Sequence, residues 1–252
     1  MMKLLAIAAG CMLLLAVGVS AHAALGSTVI PTSNGDLKIF HVGHASLIFE
    51  YGGKVIHVDP FSKMADYSKL PKADLILLTH DHGDHTDPGA IRKIRKDNTL
   101  VILPEACSKT IKGGTIMRNG DVKSVAGLKI KAVPAYNLVH KRDSGQPYHP
   151  KGRGNGYVIT FGDKNVYVAG DTENTPEMKA LKNIDVAFLP VNLPYTMDAA
   201  MVVDAVKAFR PKILYPYHYD LGRSDLPKLK GLMKGVQGVE MRVPKEKGAA
   251  AK

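Results

Sequence analysis

From residue 37 onward the chain runs as short apolar segments broken by turn residues, a strand-rich pattern with few stretches long enough for a helix. Residues 37–40, 45–51 and 54–59 predict strands, the last two joined by Gly52-Gly53 as a hairpin. The continuous apolar run at 75–78 predicts a buried strand within 73–78. Asp87-Pro88 then supplies the N-cap and first residue of a helix of about ten residues through Ile91 and Ile94. Strands follow at 99–103 and 128–133, separated by a helix-like segment at 105–112 and a turn at Asn119-Gly120. Residues 135–154 have no period and are rich in Gly, Pro, Tyr and His, a long loop of the kind that usually carries function.

The second half repeats the first in kind. It offers a strand pair at 156–161 and 165–168, a helix from Thr175-Pro176 through Met178 and Leu181, a buried strand at 186–190, an amphipathic helix at 197–209 and a last strand at 213–215. Two such halves predict an α/β (α+β) fold: two sheets packed face to face, helices on their outer sides, strand-end loops gathered along one edge.

The N-terminus departs from this pattern. Lys3, an apolar run over 4–19 and small residues at Ala21 and Ala23 read as a signal peptide cut after Ala23. The chain then divides into a leader at 1–23, a polar segment at 24–35, one folded domain at 36–244 and a frayed tail at 245–252. Cys11 leaves with the leader, so Cys107 is the one remaining cysteine and no intramolecular disulfide is expected. An exported chain without disulfides fits a periplasmic or secreted bacterial protein, with no stable membrane insertion after leader removal. Hydrophobic content of 45% and charged content of 23% are those of an ordinary globular protein and exclude disorder as the default.

The formal charge of +11 falls to +10 when Lys3 is removed. The surplus lies in separate clusters at 92–96, Lys141-Arg142, Lys151 with Arg153, and 228–234. Such a field favours a small anionic substrate. No basic run is interleaved with aromatic residues as a base-stacking platform would be, so nucleic acid is not expected.

The chemistry concentrates where the strand at 73–78 ends. His80, Asp81, His82, Asp84, His85 and Asp87 place three histidines and three aspartates within eight residues. No packed core takes that composition, and Gly83 and Pro88 make the segment a loop. Imidazoles and carboxylates turned toward one point are what a divalent cation requires. Two further strand ends offer ligands: Gly170-Asp171-Thr172 and Tyr217-His218-Tyr219.

His80-x-His82-x-Asp84-His85, Gly170-Asp171-Thr172 and Tyr217-His218-Tyr219 together resemble the metallo-β-lactamase superfamily. More narrowly, His41-Val-Gly-His44-Ala-Ser, Val58-Asp-Pro-Phe61, Ala132-Val-Pro-Ala-Tyr-Asn137, His149-Pro-Lys-Gly152 and Pro194-Tyr-Thr-Met-Asp198 resemble the metal-dependent hydrolases that include ascorbate-phosphate lactonase. The resemblance implies a four-layer αββα sandwich over nearly the whole mature chain. It implies that His80, His82 and His149 hold one metal, that Asp84, His85 and His218 hold a second, and that Asp171 bridges them. His140 is the alternative to His149, because both lie in the long loop. The family's carboxylate at Asp59 orients the metal loop. His44 either contacts substrate or is bonded to backbone, His41 and His57 read as structural, and Tyr195 and Tyr219 are placed in the pocket lining.

Mixed imidazole and carboxylate ligands suit Zn²⁺ by default and also Mn²⁺ or Fe²⁺. Two divalent cations bridged by Asp171 would hold a hydroxide between them as nucleophile. The expectation is therefore an exported metal-dependent hydrolase of a small ester, lactone, amide or phosphodiester. The same ligands would also serve a periplasmic metal-binding or sensing protein without turnover. A redox role on a di-iron centre lacks any cysteine cluster or glycine-rich nucleotide loop in this chain. The Asn192-Leu193 pair stands where the branch often has glycines before Pro194, so substrate choice does not transfer.

Overall fold

In the computed structural model, which describes residues 25–219 and 225–244, two seven-stranded sheets face each other. The expected leader at 1–23 and tail at 245–252 lie outside the described residues. The first sheet runs β1 (Gly26–Thr32), β2 (Gly35–Gly43), β3 (Ser46–Tyr51), β4 (Lys54–Val58), β5 (Leu75–Leu77), β6 (Leu100–Leu103) and β7 (Thr115–Ile116), in that spatial order. The second comprises β8 (Val122–Val125), β9 (Leu128–Ala135), β10 (Gly154–Phe161), β11 (Lys164–Val168), β12 (Val186–Pro190), β13 (Ile213–Tyr217) and β14 (Glu240–Met241), with β14 and β8 at its edges. Helices α1 (Pro88–Ile94), α2 (Pro176–Lys179), α3 (Ala199–Phe209) and α4 (Leu226–Met233) complete the order.

Three apolar clusters make this a four-layer arrangement. Leu37, Phe49, Leu75 and Leu77 meet Ile130, Ile159 and Phe188 between the sheets. Ile76 and Leu78 point the other way, onto Ile91 and Ile94 of α1. That two-sided burial explains the unbroken apolar run at 75–78, since a parallel strand covered on both faces needs no polar side. On the far side Tyr167, Leu189 and Leu214 pack with Val202, Val206 and Phe209 of α3.

Each sheet is antiparallel in one part and parallel in the other. β4 to β7 are parallel in the first sheet and β11 to β14 in the second. Parallel strands deliver their carboxyl ends to one edge, where the loops collect. Asp59, Thr79, Asp171, Asn192 and His218 all follow the ends of such strands.

Several elements differ from expectation. The segment 24–35, read as polar and outside the domain, contains β1, which pairs antiparallel with β2 from Gly26 to Thr32. Its apolar side chains are too few for a half-buried pattern, and it is held as an edge strand by backbone bonds. The helix after Asp87 is seven residues and ends where Arg95 turns extended. The segment at 105–112 is a 3-10 helix over Glu105–Lys109. α2 stops at Lys179 rather than continuing through Leu181. α4, β7, β8 and β14 had no sequence signal strong enough to name. Cys107 is buried in the cluster under α1, as a core residue. Among the described residues no helix is long and apolar enough to cross a membrane.

Candidate metal centre

The loop after β5 is fixed by a carboxylate beneath it. Asp59, fully buried at the end of β4, accepts Thr79 N–H at 2.8 Å and the Thr79 hydroxyl at 2.6 Å. Its Oδ2 also lies 2.8 Å from His85 Nδ1. The first residue of the loop and its last histidine are thus tied to one group. Gly170 completes the close approach: its φ is +67°, and a Cβ there would lie 2.9 Å from Thr79 Cβ. Only glycine brings the end of β11, and with it Asp171, so near the histidine loop.

Asp171 sits between two groups of imidazoles. Its Oδ2 lies 3.3 Å from His149 Nε2 and 3.9 Å from His80 Nε2. Its Oδ1 lies 3.4 Å from His85 Nε2 and 3.3 Å from His218 Nε2. Ligand atoms of His80, His82 and His149 fall within 4.8 Å of one another, as do those of His44, Asp84, His85 and His218. One carboxylate therefore turns a different oxygen to each of two donor sets.

The histidines are held by their outer nitrogens. Nδ1 of His85 is on Asp59, Nδ1 of His149 is 2.8 Å from Asn137 Oδ1, Nδ1 of His80 is 3.2 Å from Thr79 Oγ1, and Nδ1 of His218 is 3.1 Å from Asn192 Nδ2. Each of these four rings presents Nε2 to the interior. There Nε2 of His80, Nε2 of His149 and Oδ1 of Asp171 are buried without a hydrogen-bond partner. Buried polar atoms left unpaired are costly, and three aimed at one place fit a cation as their missing partner.

The local field points the same way. Burial pushes the His85 imidazole down, yet Asp171 and Asp59 outweigh it and hold its pKa up at about 9. Burial, with the charge of neighbouring His85, takes the His80 imidazole well below its ordinary range against the pull of Asp171. Burial works to raise Asp171, but His218 and His85 keep its carboxyl well below the usual carboxylate range. A buried carboxylate held ionised beside the neutral His80 imidazole, with a proton on His85 that a bound cation would displace, is a cation-binding environment.

His44 stands beside this arrangement. Its Nε2 is 2.9 Å from Asp84 Oδ2, its ring lies tilted against that of His218 at 3.8 Å between centroids, and its carbonyl accepts His218 N–H at 2.8 Å. His140, the alternative in the long loop, is engaged elsewhere: its Nδ1 is 2.7 Å from Glu173 Oε1. His41 is half-buried against Phe188 and Tyr215, and buried His57 bonds the Pro71 carbonyl at 3.0 Å, both on strands of the first sheet. Tyr195 is exposed and meets Tyr148 edge to face. Tyr219 is buried in the cluster with α3 and α4 rather than lining the opening, its ring covered by apolar side chains.

Two residues with no role in the sequence reading, Glu173 and Asn137, shape the long loop. Glu173, buried two residues beyond Asp171, accepts the backbone N–H groups of Leu138, Val139 and His140 at 2.6 to 2.7 Å. It also accepts Asn137 Nδ2 at 3.0 Å. Because that amide nitrogen faces Glu173 and the Tyr195 carbonyl, Asn137 Oδ1 is left to accept from His149 Nδ1–H and the His149 backbone N–H. Glu173 thereby selects the amide orientation, and the amide selects the tautomer whose Nε2 lone pair faces Asp171. The sequence signal was only an acidic residue two positions past Asp171.

The sequence profile of the β-lactamase superfamily domain matches residues 38–218. The chain belongs to that superfamily. A UPF0173 metal-dependent hydrolase of Thermoplasma acidophilum is 35% identical over 235 residues, covering 83% of this chain and 96% of the relative. A solved candidate metal-dependent hydrolase from Parabacteroides distasonis superposes with a TM-score of 0.82 at 46% identity, covering 87% of this chain and 98% of that one. The metallo hydrolase Igni18 of Ignicoccus hospitalis gives a TM-score of 0.67 at 28% identity, covering 82% and 94%. The protein is a metal-dependent hydrolase of the metallo-β-lactamase fold. These relatives carry that assignment and not the narrower lactonase branch.

Proposed function

We propose that this hydrolase works with two divalent cations, zinc by default, and cleaves a small ester, lactone, amide or phosphodiester. The observation that carries the reading is Asp171, whose two oxygens face different sets of histidine nitrogens. His80, His82 and His149 would hold one cation, Asp84, His85 and His218 the other, with Asp171 shared. Such cations, when bound, acidify water to give a nucleophile at neutral pH and polarise the acyl or phosphoryl oxygen.

The chain's own groups do the rest. Asp59 and Asn137 fix the tautomers of His85 and His149, so that the inner nitrogens keep their lone pairs. His44 is partly exposed and held on Asp84 through Nε2, which places its ring beside the site where it can contact substrate. Lys141 and Arg142 are exposed on the long loop and favour an anionic substrate. We further propose that the protein is exported to the periplasm or beyond, with 1–23 removed.

The test is metal analysis of full-length protein isolated from its own compartment, with N-terminal sequencing, coupled to a panel of activated esters, lactones, β-lactams and phosphodiesters. Two metals per chain and turnover of at least one class are expected. Asp171→Ala is expected to lower turnover on the order of 100-fold or more while the fold is kept. Folded, metal-replete protein that hydrolyses nothing in the panel would defeat the reading.

A further inference from the structure

Nine large apolar side chains are exposed among the described residues, and five of them, Met64, Leu138, Val139, Leu193 and Tyr195, sit on three loops at the metal centre. Leu138 and Val139 follow Asn137, the partner of His149. Leu193 and Tyr195 flank Pro194 just after Asn192, the partner of His218. Met64 lies against Gly43, next to His44, and shares its loop with Phe61, whose ring is 5.8 Å from that of His44.

These side chains are presented rather than loosely exposed. Leu138 N–H and Val139 N–H are both bound to the buried Glu173 carboxylate, yet the Val139 side chain is 63% exposed. Tyr195 is joined to the same loop through its carbonyl, which accepts Asn137 Nδ2 at 2.9 Å. A backbone anchored on a buried charge with apolar side chains turned to water is a preformed contact surface.

The inner site offers little room. The cavity bordered by His80, His82, Tyr148, His149 and Asp171 measures about 10 Å³, space for one water-sized group or an ion. A substrate brings only its reacting atoms to that point, and the remainder lies on the surrounding rim. Around that rim Arg142 stands over the Tyr148 ring at 5.0 Å and Lys63 over Phe61 at 5.7 Å, so cations border the apolar surface.

We infer that the substrate is an amphiphile: a hydrolysable polar or anionic group at the metal centre carrying an alkyl, acyl or aryl portion that lies across Leu138, Val139, Leu193 and Tyr195. The inference rests on the proposed hydrolytic function and adds the chemical class of substrate. It sharpens the expectation of a small anionic substrate to an anion with an apolar tail.

The test uses full-length metal-replete protein and a series of n-alkylphosphonates from methyl to octyl, whose dissociation constants are measured by calorimetry. Binding is expected to tighten about twofold to fourfold per methylene over the first several carbons, the range between half and full burial of each group. In Leu138→Ser/Val139→Ser, whose replaced side chains are exposed and leave the core intact, the ratio of octyl to methyl affinity is expected to collapse toward one, with an unchanged unfolding midpoint. A flat series in the wild type, with methylphosphonate still bound, overturns the apolar rim and leaves the hydrolase reading standing. No binding of any member, methylphosphonate included, overturns the proposed site and the inference with it. A flat series together with a dimer that the serine variant converts to monomer would assign the rim to a second copy, which also overturns it.

Discussion

Glu173→Gln tests how the long loop is tied to the metal centre. Glutamine keeps the size of the side chain and one acceptor oxygen, while an NH₂ group replaces the other oxygen. If the NH₂ takes the place of Oε2, the N–H groups of Leu138 and Val139 face a donor. If it takes the place of Oε1, the His140 N–H, the His140 ring and the Asn137 amide do. At least two buried donors therefore lose their acceptor, at about 1–3 kcal/mol each. The loop is at the surface and water can reach part of it, which places the loss in the lower half of the range for each donor, about 2–4 kcal/mol in all. Urea unfolding of metal-stripped protein reads it.

The second consequence is specific to the relay through Asn137. With Glu173 neutral, the Asn137 amide is free to turn over and His149 loses the bond that presents Nε2 inward, so metal affinity should fall about 10- to 100-fold. The pH dependence carries a sign. Burial works to raise the Glu173 carboxyl, but the Asn137 amide and the loop N–H groups hold it below its ordinary value. A depressed native value stabilises above the unfolded value and is lost as pH falls through the native one. The gap between wild type and variant should thus stay constant from neutral pH to about 5 and close in more acid solution. Equal urea midpoints at pH 7 would refute the anchoring role, and a lost midpoint with intact metal affinity would refute the relay.

Two other perturbations probe the same edge. Asp59→Asn keeps a residue tolerant of the left-handed φ of +44° but turns an amide toward His85 Nδ1, which shifts the ring proton to the inner nitrogen. Dialysed protein should then hold about one metal fewer per chain by elemental analysis, and unchanged stoichiometry would count against the arrangement. Gly170→Ala forces a Cβ to 2.9 Å from Thr79 Cβ at a φ of +67° and should cost about 2–4 kcal/mol, measured as a lower denaturant midpoint. A midpoint equal to the wild type would show that the two strand ends approach less closely than described.

What could be read from the chain alone was whatever is local. The unbroken run at 75–78, the Asp87-Pro88 start and the apolar segment at 45–51 closed by Gly52-Gly53 are short-range patterns, and each stands within a residue or two of its observed element. The histidine-aspartate loop was legible for the same reason: its six chemical residues are neighbours in sequence. Where the sequence offered two histidines in one aperiodic loop, only the spacing to the following strand, shared with the family it resembles, favoured His149 over His140. The fold places His149 against Asp171 at 3.3 Å and His140 on Glu173. β1 escaped notice because an edge strand is held by backbone bonds to β2, which leave little mark on side-chain pattern. The roles of Glu173, Asn137 and Asn192 escaped because each acts across 12 to 36 residues of chain, on groups that only the packing of two sheets brings within hydrogen-bond reach. The sequence by itself determined the types of donor and their presence at strand ends. The tertiary structure decided which oxygen of Asp171 meets which imidazole, because that depends on the distance between carboxyl ends of strands in two different sheets.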